Sequence, residues 1–312
     1  MKRILITSTG VLMIFLALAQ NKEIRHGKDI TQPGQINPAL AGLQEDMFRL
    51  LTNTDLNDIS FLIEGKIPFK LGNYMIGYDR TANEYVSESV FNLTYGRTSK
   101  KEKGREWTFR YGGSLEFSGR SSLSSDSSNG VFSIVDLNGE TTTFGLPTDL
   151  KDKINYVNLS FGGSMQFKKL ILSLAVSNIS NPAVSMIEGE KRNLPLSADI
   201  MLGGFVKLGE NITLFPSAIA TFNNENYFVR TAVNMNTKYF NLNAAYLSDD
   251  IRQDISASLG FHYKKSFFGL KFDQPLGSSA QDPIFQIFLN SGIFKDRKMF
   301  KSDFAKQIGL FY

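Results

Sequence analysis

Cysteine is absent from all 312 residues. That excludes disulfides, thiolate metal sites and, with no lipobox cysteine, a lipoprotein anchor. Histidine occurs only twice and tryptophan once. The net charge of +4 is too small to support nucleic-acid binding. Beyond the first residues no apolar run is long enough for a transmembrane helix. With 42% hydrophobic and 21% charged residues, and a mean hydropathy of -0.14, the chain is too polar for a helical membrane protein. The same totals suit a soluble domain or a membrane barrel, whose lipid-facing and lumen-facing residues average out.

What is abundant is phenylalanine and tyrosine, 26 and 11 residues against the single tryptophan. A barrel's outer wall and interfacial girdles would use such an excess. The chain starts with the basic Met1-Lys2-Arg3, an apolar core from Ile4 to Ala19, and Ala17-Leu18-Ala19 before Gln20. This is the pattern of a cleavable signal peptide over residues 1–19, with cleavage expected after Ala19. The alternative, an uncleaved anchor helix, requires a longer apolar run than is present.

The stretch EWTFRYGGSLEF, Glu106 to Phe117, places Trp107, Phe109, Tyr111, Gly113, Leu115 and Phe117 on one face of a strand. Thr108, Arg110, Gly112, Ser114 and Glu116 fall on the other, because successive side chains in a strand alternate. The pattern recurs. Val157, Leu159, Phe161, Met165 and Phe167 oppose Asn158, Ser160, Ser164 and Gln166. Ala198, Ile200, Leu202, Val206 and Leu208 oppose Ser197, Asp199 and Lys207, with Met201 and Phe205 as apolar exceptions. Ala257, Leu259, Phe261 and Tyr263 oppose Ser256, Ser258 and His262. Period-two alternation of this extent predicts an all-β chain.

Turn signals divide these runs into about fourteen strands of roughly ten residues, the length a tilted strand needs to cross a bilayer. Short connections near Phe69–Lys70, Lys100–Gly104, Lys168–Lys169, Gly209–Glu210, Thr237–Lys238 and Lys264–Ser266 alternate with longer polar ones. The longer set falls at Asp55–Asp58, Thr81–Ser87, Ser118–Lys153, Ser180–Pro195, Asn223–Asn226, Asp249–Gln253 and Gly277–Pro283. Short periplasmic turns and longer outside loops define a transmembrane antiparallel β-barrel of the outer membrane. A soluble sandwich or propeller would also alternate, but with its aromatic faces packed into a core. The expected organisation is a signal peptide (1–19), an N-terminal periplasmic segment (20–46), a barrel (47–294) and a C-terminal tail (295–312). Within the longest loop, Val131 to Leu137 could form a small hairpin or fold back into the lumen.

Lys100, Lys101, Lys103, Arg105, Lys168, Lys169, Lys238, Lys264 and Lys265 lie at or beside the short turns. The tail adds Lys295, Arg297, Lys298, Lys301 and Lys306. Lysines suit solvated turns and inner-leaflet headgroups. The alternative is a rim that docks an acidic periplasmic partner, with Lys100, Lys101, Lys168, Lys169, Lys264 and Lys265 as its candidates.

Catalytic chemistry is thin. His26 lies near the expected mature N-terminus, and His262 shares a strand face with Ser256 and Ser258 at a spacing that fits no triad pattern. Asp249, Asp250 and Asp254 fit no calcium-loop rule. The segment Gly119 to Gly130 lacks the lysine of a phosphate loop. No enzyme activity, cofactor or metal is expected.

One motif remains. ITQPGQINPALAG, Ile30 to Gly42, carries Asn37, Pro38, Ala39 and Gly42 just before the first strand. Pro38 biases Asn37 away from helix, so the segment is either a turn leading into that strand or a piece tucked into the barrel mouth. This opening resembles that of the PorP/SprF family, outer-membrane barrels of the type IX secretion system of Bacteroidetes. LAVSNISNPAVSM, Leu174 to Met186, resembles the family's strand ending in Val-Ser-Asn before a proline-containing loop. LGGFVKLGENITLFPSA, Leu202 to Ala218, resembles its Gly-rich strand, short turn and proline-bearing strand. The motifs occur in the family's order across most of the chain. The sequence departs from the usual family ending: residues after Phe294 either add a strand, plug the lumen or dock.

The resemblance implies a barrel that binds and anchors, or helps secrete, a large gliding or adhesion protein through its C-terminal sorting domain. Some members instead contact periplasmic ring components of the machine. The loop Ser118–Lys153 is the first candidate for partner contact and Ser180–Pro195 the second. Two other functions remain open from the residues alone: a barrel transporting a small solute, similar to fatty-acid transporters, and a barrel hydrolase using His262.

Overall fold

A computed structural model describes residues 33–41, 47–53, 58–67, 72–82, 86–99, 107–122, 131–135, 141–145, 151–186, 191–209, 211–223, 227–237, 239–249, 253–263, 266–276 and 283–292. The expected signal peptide, Gly42, Lys100, Lys101, Lys264, Lys265 and the tail lie outside the described residues.

Among the described residues seventeen strands follow a one-turn helix, Pro33–Ile36, and a 3-10 turn, Pro38–Leu40. The first half contains β1 (Met47–Asn53), β2 (Asp58–Ile67), β3 (Gly72–Ala82), β4 (Val86–Thr98), β5 (Trp107–Ser122), β6 (Val131–Val135), β7 (Thr141–Gly145), β8 (Lys153–Phe167) and β9 (Leu170–Ser177). The second contains β10 (Ser197–Gly204), β11 (Val206–Leu208), β12 (Ile212–Asn223), β13 (Tyr227–Asn236), β14 (Phe240–Asp249), β15 (Gln253–Tyr263), β16 (Ser266–Leu276) and β17 (Ile284–Gly292). Strands β1–β5, β8–β10 and β12–β17 pair antiparallel with their neighbours in chain order, making fourteen. Two further pairings close the ring: β1 with β17, and β10 with β12. Closure leaves no edge strand, which is how a sheet survives in a bilayer.

Alternation decides which face is which. Trp107, Phe109, Tyr111 and Phe117 all point outward and are exposed, while Ser118 and Arg120 of the same strand are buried inside. Asn158, Ser164, Asp199, Thr221, Asn234 and Gln286 are buried inward on their strands. Apolar side chains outside and polar ones inside invert the arrangement of a soluble sandwich and match a membrane barrel. Phe61, Tyr78, Phe91 and Phe117 stand in register across β2–β5, with neighbouring rings 6.5 and 6.4 Å apart for the outer two pairs. Such cross-strand aromatic pairs fix register as well as fill the wall. Met201 and Phe205 face the interior, and Phe205 packs on Phe215 with ring centroids 4.8 Å apart.

The outward leucines Leu93, Leu115 and Leu159 lie in register across β4, β5 and β8. Leu93→Arg would place a cation on the lipid side of this row. The expected loss is about 2–4 kcal/mol if the row sits at the bilayer midplane. Urea unfolding in lipid vesicles would measure it; a loss below about 1 kcal/mol would place Leu93 at the interface instead.

The two ends of the barrel differ less evenly than the turn signals suggest. Three connections expected to be longer shrink to residues 83–85, 224–226 and 250–252, because Thr81, Ser87, Asn223, Asp249 and Gln253 continue the strands. On the opposite end, residues 99–106 separate β4 from β5. The asymmetry rests on residues 123–152, 178–196 and 277–283. Inside the first of these, β6 and β7 form a separate two-stranded hairpin, with Val131 opposite Gly145.

Pro216 interrupts the wall. It pairs with Val233 of β13, but on its other side β10 stops at Gly204 and β11 resumes at Val206. A proline has no N–H to give the ladder, so the β10–β12 seam opens at this point. The Phe205 N–H donates instead to the Lys169 carbonyl, 2.9 Å away.

Candidate functional site

The Asn-Pro-Ala segment enters the barrel. Asn37 has extended torsions (φ -148°, ψ 123°) and its side chain accepts a hydrogen bond from the Ala39 N–H at 2.8 Å. This is an N-cap, and Pro38 follows at a position that needs no N–H. Leu40 and Ala41 N–H donate to the Asn37 and Pro38 carbonyls at 2.9 and 3.1 Å, completing a tight turn. Ile36, Asn37, Ala39, Leu40 and Ala41 are all buried.

The other end of the Asn37 side chain is a hub. Its Nδ2 donates toward the Gly163 carbonyl (3.0 Å), Ser173 Oγ (2.6 Å) and the Leu174 carbonyl (2.7 Å). One carboxamide thereby ties the N-terminal segment to β8 and β9. On the far side, Ala41 packs with Leu62 and Met75, and Asn73 Nδ2 donates to the Ala41 carbonyl at 3.4 Å. The segment thus lies along the inner wall from β2 to β9.

Glycine makes room for it. Gly96, Gly112 and Gly162 are in direct register across β4, β5 and β8. A Cβ on Gly96 would stand 3.0 Å from the Pro38 carbonyl oxygen. A Cβ on Gly112 would collide with the same oxygen, and one on Gly162 with Asn37 Oδ1. Three side-chain-free positions form a flat bed at the short-turn end, and the turn rests on it. The bed's signal in the sequence is the repeated Gly-Gly-Ser of Gly112–Ser114 and Gly162–Ser164. Only one glycine of each pair faces inward.

Toward the opposite end the inner wall carries charge. Glu88 Oε1 accepts from Arg120 Nε and from Tyr156 OH, both at 2.8 Å, and the Arg120 guanidinium lies 5.8 Å from the Tyr156 ring centroid. This network links β4, β5 and β8 above the glycine bed.

The outside connection after β9 is built around Asn178. Its Oδ1 accepts from Asn158 Nδ2 at 2.7 Å and its Nδ2 donates to the Pro195 carbonyl at 2.8 Å. Asn178 and Asn181 both adopt positive φ, 61° and 48°, a conformation asparagine tolerates better than most residues. Val184 N–H donates to the Arg192 carbonyl and Leu194 N–H to the Pro182 carbonyl, both at 2.8 Å. Val184 and Met186 are buried, and the Lys151 N–H donates to the Met186 carbonyl at 2.8 Å. The described parts of the candidate loop Ser180–Pro195, residues 180–186 and 191–195, are therefore braced and rest on the root of the long loop.

Of the candidate rim, the structure describes one turn. Lys168 and Lys169 are exposed between β8 and β9, with Lys168 at φ 50° and its Nζ 5.3 Å from the Phe167 ring centroid. The other four lysines fall outside the described residues, so no assembled rim is observed. His262 lies in β15, paired with Phe267. Among the described residues no cluster of metal-ligating side chains occurs.

The sequence profile described as type IX secretion system membrane protein PorP/SprF matches residues 30–290. The chain belongs to this family. Its match begins at Ile30 and so includes the Asn37 turn as well as the barrel. No curated protein matches this PorP/SprF chain. Among solved structures it is similar to a TodX deltaS2S3 mutant monoaromatic hydrocarbon channel, at 9% identity and a TM-score of 0.49, covering 82% of this chain and 93% of that one. It is similar to a Pseudomonas aeruginosa FadL homologue at 9% identity and a TM-score of 0.48, covering 86% and 96%. BamA from Haemophilus ducreyi lacking POTRA domains 1–3 follows at 7% and 0.41, covering 78% and 69%.

Proposed function

We propose that this PorP/SprF protein sits in the outer membrane as a non-enzymatic partner and anchor for a large surface protein exported by the type IX system. Recognition would use the C-terminal sorting domain of that protein. The observation that carries the reading is the family match across residues 30–290. Two features of the barrel suit the role. The Asn37 turn fills part of the lumen at the short-turn end, and the loop braced by Asn178 offers a rigid platform at the other. A pre-formed platform loses little conformational entropy when a partner docks, so affinity can come from loop contacts without chemistry.

An affinity pull-down from native outer membranes, with the tag in the C-terminal tail and mass spectrometry as readout, tests the proposal. The expected result is recovery of one very large surface protein bearing a sorting domain. Recovery of periplasmic ring components alone would replace the anchor role with a machine-component role. A barrel that comes down clean and conducts a small solute in a planar bilayer would overturn the proposal in favour of transport.

A further inference from the structure

The outer wall contains a hollow of about 890 Å3, centred on the seam that Pro216 opens. Its floor is made of small residues from successive strands: Gly204 on β10, Pro216 and Ala218 on β12, and Ala244 on β14. Leu202 and Tyr246, both outward and exposed, stand at its sides. The volume lies within the range of about 300–1,000 Å3 typical of small-molecule sites. Unlike such sites it faces the bilayer, because its outward residues belong to the same faces as the rest of the apolar wall.

Depth and charge point to what fills it. Leu170 pairs with Gly204 on one side of the open seam, and Pro216, Val233 and Ala244 stand in register on the other. Gly204 and Pro216 are in the pair of strands joined by the short turn at Gly209, and Leu170 immediately follows the Lys168–Lys169 turn. The hollow therefore begins at the short-turn end and occupies that leaflet. Lys169 lines its lower edge, exposed and with no carboxylate partner among the described residues. An apolar trough with a lysine at the headgroup level complements a molecule with an acyl chain and a negative head.

We propose that the hollow binds one anionic phospholipid of the periplasmic leaflet, with an acyl chain against Pro216 and Ala218 and the phosphate at Lys169. The leaflet assignment rests on the outer-membrane placement proposed above. A hole in a lipid-facing wall costs dispersion contacts unless something packs into it, and a chain of CH2 groups fits where no side chain does. Lys169 then supplies selectivity for charge, in addition to the nonspecific attraction of a basic turn for an acidic surface.

The test uses the full barrel, delipidated in mild detergent and offered an equimolar mixture of phosphatidylglycerol and phosphatidylethanolamine with matched chains. Native mass spectrometry reads the number and mass of retained lipids. Wild type is expected to hold one phosphatidylglycerol in preference to phosphatidylethanolamine by about fivefold. Ala218→Trp, which fills the hollow, should abolish that tight lipid. Lys169→Gln should keep one lipid but erase the preference. Should Ala218→Trp fail to fold, as read from loss of heat-modifiable mobility, Ala244→Phe fills the same space from another strand. Equal retention of both lipids by wild type, or undiminished retention in the filled variants, would overturn the proposal, as would cross-linking of a second protein at Ala218 in native membranes. Cell fractionation of the same protein separates this outcome from a failure of the outer-membrane placement itself.

Discussion

Gly162→Ala is expected to displace the Asn37 turn from the barrel while leaving the wall closed. The added methyl would occupy the space of Asn37 Oδ1, and the turn has little room to shift along the bed because at Gly96 and Gly112 not even a Cβ fits beside the Pro38 carbonyl. Displacement would cost the two hydrogen bonds that the Asn37 NH2 shares among Gly163, Ser173 and Leu174, each worth about 1 kcal/mol net. The loss of hold is therefore about 2 kcal/mol, or roughly thirtyfold in the population of the released state. Gly163→Ala is the control, since its Cβ points outward and meets only the Arg110 carbonyl oxygen at an ordinary 3.8 Å. The chain has no cysteine, so a single Ala39→Cys reports directly. In vesicles its maleimide labelling should be slow in the parent and in Gly163→Ala, and about thirtyfold faster in Gly162→Ala. Equal protection in all three would mean that the turn slides along the wall instead of leaving it.

The contrast between Gly162 and Gly163 shows where sequence reading reached and where it stopped. The faces of β5 and β8 were legible, because the pleat sends neighbouring side chains to opposite sides whatever the tertiary context. That Trp107, Phe109 and Tyr111 face outward follows from the pattern alone. The glycine bed does not follow, because it exists only once register sets Gly96 opposite Gly112 and Gly112 opposite Gly162. Register depends on pairings between strands distant in the chain, which no local pattern encodes. The same holds for Asn37: its residue type predicts a cap, but its three partners lie on β8 and β9. Strand ends were misjudged for a different reason. Ser, Thr and Asn mark turns in soluble proteins, but here they extend strands past the apolar band, as at Thr81 and Ser87. The two inner apolar exceptions, Met201 and Phe205, make sense only beside the seam, where Phe205 packs on Phe215 behind Pro216.

Asn178→Val should loosen the outside platform and, with it, capture of the secreted partner, without unfolding the barrel. Asn178 sits at φ 61°, where a β-branched residue is strained by about 1–3 kcal/mol. The substitution also removes the bonds to Asn158 and to the Pro195 carbonyl, at about 1 kcal/mol each. Local opening around Asn178 should become easier by about 3–5 kcal/mol, a change of roughly a hundredfold to a few thousandfold in amide exchange governed by that opening. The amides of Val184 and Leu194, which now donate to Arg192 and Pro182, are the positions to follow. Asn178→Gly separates the two causes: it relieves the torsional strain but still lacks the carboxamide, so it should show only the hydrogen-bond part, about a thirtyfold change. The partner readout then discriminates between functions of the loop. If the platform is the docking surface, pull-down yield of the surface protein falls in the order wild type, Asn178→Gly, Asn178→Val. If exchange rises in that order while the yield stays constant, the braced loop serves only to close the barrel's outer end, and partner contact moves to the long loop between β5 and β8.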